Sequence, residues 1–134
     1  MKKGIHRILL LTTLFCMLIA TTASALELFR YQHTDSISVS FDIKNGIASC
    51  GGVLKPSNKN YSSSITVILQ KQTNGTWKNV TSWSNSATSG PVSVSGTKTL
   101  TERGNYRVVV NGVVKNSSGT VLEQPSITSP TKTY

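Results

Sequence analysis

The chain has 134 residues and a formal net charge of +9, yet only 14% of its residues are charged, against ~25% in ordinary soluble proteins. Two cysteines and two histidines in all exclude a disulfide scaffold and a zinc site of the Cys/His kind, and the length excludes a multidomain enzyme. Ser, Thr, Asn, Gly and Val make up much of the rest, the composition of an extracellular β-protein.

The first 25 residues read as an export signal. Lys2, Lys3 and Arg7 form a positive start, residues 8–20 are apolar and uncharged, and Ala23-Ser24-Ala25 is an A-x-A cleavage site with Leu26 as the first mature residue. The apolar stretch of 13 residues is short for a membrane span, which needs ~20. Phe15 stands directly before Cys16, where a lipoprotein signal requires a small residue. The expectation is a signal peptide at 1–25, an N-terminal arm at 26–35 and a secreted protein free of the membrane after cleavage. The leader takes three of the fourteen basic residues and no acid, which leaves eleven against five, a net +6 on 109 residues. The basic residues are scattered along the mature chain and form no run. A nucleic-acid domain would cluster them or interleave them with aromatics, so nucleic acid is excluded. A diffuse positive charge fits attraction to an anionic polymer outside the cell.

After residue 26 the pattern has period two rather than 3.6. Ile37, Val39 and Phe41 alternate with serines, and Asn45-Gly46 signals a hairpin. The second strand, Ile47 to Leu54, puts Ala48, Cys50, Gly52 and Leu54 on one side, and such small residues imply a bulky neighbour close by. A polar loop follows up to Ser63. Ile65, Val67 and Leu69 mark the third strand, Asn74-Gly75 the next tight turn, and Trp77 to Trp83 the fourth strand. Ser84 to Pro91 reads as a loop. A fifth strand from Val92 is interrupted by Gly96, a sixth carries Tyr106, Val108 and Val110, and the last starts at Val121 and meets Pro125. Seven strands with regular turn signals predict an all-β, two-sheet antiparallel sandwich over residues 36–134, with the terminal stretches frayed unless Tyr134 holds the last strand.

Glu102-Arg103-Gly104-Asn105-Tyr106-Arg107-Val108 resembles the D-x-G-x-Y-x-C stretch of immunoglobulin-like domains, where the Tyr hydroxyl returns to an upstream backbone group as a tyrosine corner. Cys50 falls where the first cysteine of such a domain would stand, and Val108 replaces the second, so no disulfide joins the sheets. Ile47-Ala48-Ser49-Cys50-Gly51-Gly52, Leu69-Gln70-Lys71 through Trp77, Ser82-Trp83-Ser84, Gly104-Asn105-Tyr106-Arg107-Val108 and the ending Thr131-Lys132-Thr133-Tyr134 resemble a family of short secreted immunoglobulin-like proteins of Gram-positive bacteria with no known function. The resemblance implies a fold and an address, and brings no catalytic residues.

Chemistry is sparse. His33 is the mature chain's one histidine and sits in the arm, a poor place for the base of a triad. The five acids lie at strand ends or in arms rather than paired across a cleft, and no calcium or phosphate loop occurs. No enzyme, cofactor or metal site is expected. Cys50 reads as a buried, inert thiol. Trp77 and Trp83 are six residues apart, so a regular strand aims both at one face, where they offer a ligand-binding platform for glycan; the alternative is that at least one packs over the core. Gly104, Tyr106 and Val108 are structural. The sequence therefore predicts a secreted, non-enzymatic domain that binds or adheres at the cell surface, with an anionic wall polymer, a glycan or a surface protein as partner. The alternatives are a structural protein that assembles through edge strands and a carbohydrate-binding module using Trp77 and Trp83.

Overall fold

Alternating apolar residues become strands along almost the whole of the chain that the computed structural model describes, residues 31–134. The expected leader and most of the expected arm lie outside the described residues. Six long strands come first: β1 (Thr34–Lys44), β2 (Ile47–Pro56), β3 (Ser62–Thr73), β4 (Thr76–Ala87), β5 (Val92–Thr99) and β6 (Asn105–Lys115). Three short ones follow, β7 (Val121–Glu123), β8 (Ser126–Thr128) and β9 (Lys132–Thr133). β1, β2 and β5 form the smaller sheet; β4, β3 and β6 form the larger one, with β7, β8 and β9 lying along the free side of β6.

β7, β8 and β9 are one strand broken at Pro125 and Pro130, which have no N–H for a ladder. The breaks are repaired by other donors and acceptors. Gly112 N–H donates to the Pro125 carbonyl at 2.8 Å, and the Ser129 hydroxyl accepts the Val108 N–H at 2.9 Å. Counted this way the sandwich has seven strand positions, the immunoglobulin-like arrangement, with the fourth strand on the sheet of the third.

The core lies between the sheets. Leu54, Ile65, Val67, Leu69, Val108, Val110 and Val114 are fully buried, and Phe41, Ile37 and Val39 of β1 pack against them. The small residues of β2 have the consequence expected of them: a side chain on Gly52 would stand 2.9 Å from Val110 and 3.0 Å from Val67. Each buried aliphatic side chain contributes roughly 1.5–3 kcal/mol.

Three boundaries differ from the sequence reading. β1 begins at Thr34, two residues before Ser36, and the segment before it is held: the Glu123 carboxylate accepts the N–H groups of Gln32 and His33 at 2.7 and 3.1 Å. β4 continues through Ser84–Ala87, where the sequence predicts loop; pairing with Ser63–Thr66 of β3 overrides the low strand propensity of Ser and Asn. β5 runs through Gly96 without a break, in register with Cys50. The end of the chain is also fixed, because Tyr134 and Gly104 exchange two backbone hydrogen bonds.

One irregularity decides which way the outer residues point. β3 and β4 change register between Leu69/Gln70 and Thr81/Asn79, leaving Val80 as an extra residue on β4. This β-bulge shifts side-chain parity by one beyond it.

Candidate functional site

The tyrosine corner is formed. Gly104 enters β6 at φ 148°, backbone that L side chains rarely adopt. Tyr106 is 2% exposed, and its hydroxyl donates to the Glu102 carbonyl at 2.7 Å. Cys50, 3% exposed, faces the core that also holds Val108. Burial pushes its thiol up to about 11, so the thiolate needed for chemistry is scarce at neutral pH. These residues build the scaffold. No three His, Cys, Asp or Glu side chains come together as a metal site among the described residues.

The bulge at Val80 separates the two tryptophans, and the expectation that they share a face fails for that reason. Trp83 lies opposite Val67, a core residue, and its partly buried indole packs against the core. Gly96 of β5 sits directly beneath it: a Cβ there would be 2.1 Å from Trp83 Cε2. Trp77 lies opposite Gln72, on the outer face. Tyr61 stands edge-on to His33 at 5.8 Å near the start of β3, the end away from Trp77. Trp77 and Trp83 therefore form no joint platform.

What gathers around Trp77 is polar. The Arg107 guanidinium lies over the indole, 4.3 Å from its centroid, a stack worth ~0.5–1 kcal/mol at an exposed site. Arg107 Nε also donates to Gln70 Oε1 at 2.8 Å, and Gln70 Nε2 to Asn79 Oδ1 at 2.9 Å. On the neighbouring row Thr133 Oγ1 donates to Asn105 Oδ1 at 2.7 Å, and Asn105 Nδ2 to Gln72 Oε1 at 3.4 Å.

Charge is the second component. The described residues hold ten cationic and four acidic side chains, and every acid is engaged. Asp35 pairs with Lys55, Glu102 with Lys71, Asp42 with Lys132, and Glu123 takes the two backbone N–H groups named above. The Lys71 ammonium holds the Glu102 carboxyl below its ordinary value; Lys132, then the Ile43 N–H, do the same for Asp42.

Seven cations have no ion partner among the described residues, and five of these share one end of the sandwich. Lys44 ends β1, Lys78 lies just past the β3–β4 turn, Lys98 is next to last in β5, Arg103 is in the β5–β6 connection and Arg107 is the third residue of β6. The pairings place these positions at the same end. Leu100 N–H bonds the Gly46 carbonyl, Lys71 is opposite both Lys78 and Tyr106, and Lys98 lines a small cleft with Lys71 and Glu102. Arg103 lies over the Tyr134 ring at 4.5 Å, and Tyr134 leans on the β1–β2 turn, its hydroxyl 3.0 Å from where a Cβ on Gly46 would stand. Lys59 and Lys115 are at the other end.

Sequence reasoning missed both arginines and the amides beside them. The outward aim of Asn105 and Arg107 was legible, since they flank the inward Tyr106. The meeting of Arg107 with Trp77 was not, because it depends on the bulge.

No family model matches the chain, and no curated protein matches it. Among solved structures it is similar to wild-type OgpA from Akkermansia muciniphila, at a TM-score of 0.39 and 12% identity, over 78% of this chain and 31% of that one. The chain thus spans about a third of the length of that protein.

Proposed function

We propose that this chain is a small non-enzymatic domain of the secreted immunoglobulin-like kind, which holds an anionic polymer at the cell surface through the basic end of its sandwich. The observation that carries the reading is the convergence of Lys44, Lys78, Lys98, Arg103 and Arg107 on that end, with each nearby acid already engaged by a lysine. Like charges placed together raise the local potential and concentrate a polyanion.

Assembly through edge strands is the weaker reading. The bulge at Val80 interrupts the edge of β4, the Asn85 side chain occupies the Ser93 carbonyl of β5 at 2.8 Å, and Lys132–Asp42 closes the opposite side. Such features block strand addition.

The test is a salt titration of binding to an anionic wall polymer, with charge reversal at either end. Lys44→Glu with Lys98→Glu is expected to weaken binding strongly at low salt and to flatten its salt dependence, while Lys59→Glu with Lys115→Glu has a small effect. Equal losses from the two pairs would refute an oriented site, and absence of binding by the unaltered protein at any salt would refute the function.

A further inference from the structure

We infer that the patch around Trp77 and Arg107, on the outer face of the larger sheet, is a subsite for an acidic sugar residue of the bound polymer. The inference rests on the polyanion reading and names its ligand class. Hydrogen-bond direction is the first support. Four amide oxygens, on Gln70, Gln72, Asn79 and Asn105, each accept a bond within the patch. The Nη groups of Arg107, Gln72 Nε2 and Asn79 Nδ2 have no acceptor among the described residues. The face therefore presents donors to a ligand that brings acceptors: an anionic group and the ring and hydroxyl oxygens of a saccharide.

Preorganisation is the second support. A free arginine carries ~2 kcal/mol of side-chain entropy. Here the stack on Trp77 and the Nε bond to Gln70 fix the guanidinium plane before binding, which lowers the cost of ordering it. The two Nη groups remain as an end-on fork, suited to two parallel bonds with a carboxylate or phosphate. Charge complementarity is the third support, since none of the described acids is free beside the patch: Asp35 and Asp42 belong to the smaller sheet, Glu102 is held by Lys71 and Glu123 by the N-terminal segment.

The subsite differs from a general basic end in what it discriminates. A diffuse field responds to charge alone and fades with salt. A fork flanked by amides responds to geometry, and part of its affinity survives salt. Lysine in place of Arg107 keeps the charge and loses the fork and the stack.

The experiment measures binding of the full chain by calorimetry to four probes: oligogalacturonate, phosphorylated dextran, inorganic polyphosphate and neutral dextran. Arg107→Lys, Asn79→Ala and Lys98→Ala are compared with the unaltered protein, each checked for an unchanged circular-dichroism spectrum. The expected result is binding of an acidic saccharide that persists at about 0.5 M salt, beyond the range of screened surface attraction. Arg107→Lys should weaken it about tenfold, whereas Lys98→Ala matters only at low salt. Preference between oligogalacturonate and phosphorylated dextran identifies the anionic group as carboxylate or phosphate. Equal affinity of Arg107→Lys and the unaltered protein, or polyphosphate binding that matches the acidic saccharides, would overturn the subsite while leaving the basic end in place. Failure of all three anionic probes at low salt would remove the polyanion reading and this inference with it.

Discussion

Replacing Gly96 with alanine should destabilise the protein through its contact with Trp83. In an ordinary strand interior, Gly→Ala gains ~0.5–1 kcal/mol because the unfolded chain loses freedom. At position 96 the new methyl would sit 2.1 Å from Trp83 Cε2, 2.3 Å from Nε1 and 2.5 Å from Cδ2, well inside van der Waals contact. Two responses are open. Expelling the indole forfeits much of the ~150–250 Å² that a tryptophan buries, or ~4–6 kcal/mol at ~25 cal/mol per Å². Shifting β5 outward is an overpacking strain of ~1–3 kcal/mol. The cheaper response wins, and after the alanine gain a net loss of ~1–2 kcal/mol remains. For a domain of about 100 residues this lowers the melting temperature by ~5–15 °C. Urea unfolding followed by circular dichroism reads the loss directly. The decisive control is the double mutant with Trp83→Leu, which has no atoms where the clashing ring atoms lie. In that background Gly96→Ala should turn neutral or stabilising, a coupling well above the ~0.3–0.5 kcal/mol scatter of independent sites. A single mutant as stable as the unaltered protein, or the same loss in the Trp83→Leu background, would refute the packing described for Trp83.

Three further outcomes are expected. Tyr106→Phe removes the donor to the Glu102 carbonyl and should cost about 1 kcal/mol in unfolding free energy; no loss would mean that the corner bond adds nothing. Cys50 should react with a thiol reagent only as fast as the protein opens, because its thiol is buried and its pKa is raised to about 11; rapid labelling of the folded protein would contradict its inward placement. Asp42 and Glu102 have folded pKa values below the ordinary ones, so their stabilisation is fully present above the unfolded carboxylate range and disappears as pH falls through the depressed folded values. The melting-temperature difference between the unaltered protein and Glu102→Gln should then be constant from neutral pH down to about 5 and shrink below about 4; a difference that persists at about pH 2 would assign it to something other than the Lys71 pair.

Much of the fold was legible because it rests on local pattern. Alternation placed Ala48, Cys50 and Leu54, then Ile65, Val67 and Leu69, then Tyr106, Val108 and Val110 on inward faces, and the structure buries all nine. Asn45-Gly46 and Asn74-Gly75 announced hairpins, and both pairs adopt the positive φ angles such turns require. The tyrosine corner was legible from Gly104 and Tyr106, since its hydrogen bond spans four residues. Each of these features is decided within about one strand length, where the side-chain period or a single backbone conformation carries the information.

The candidate site was settled by pairing between distant segments. Nothing in Trp77-Lys78-Asn79-Val80-Thr81-Ser82-Trp83 marks Val80 as the extra residue. The bulge arises because β4 pairs with β3 in one register on one side of Val80 and in another on the other side, and that single step sends Trp77 to the outer face and Trp83 to the core. Gly96, which reads as an interruption, is the space the Trp83 indole needs, a fact held jointly by two strands of different sheets. The cations are scattered in sequence because strands run up and down the sandwich. They reach one end of the sandwich because Lys44, Lys78, Lys98, Arg103 and Arg107 all fall within a few residues of turns at that end. The strand pattern was therefore written in the chain, while the gathering of charge and the parting of the tryptophans followed from strand order and register, which only the folded sheets define.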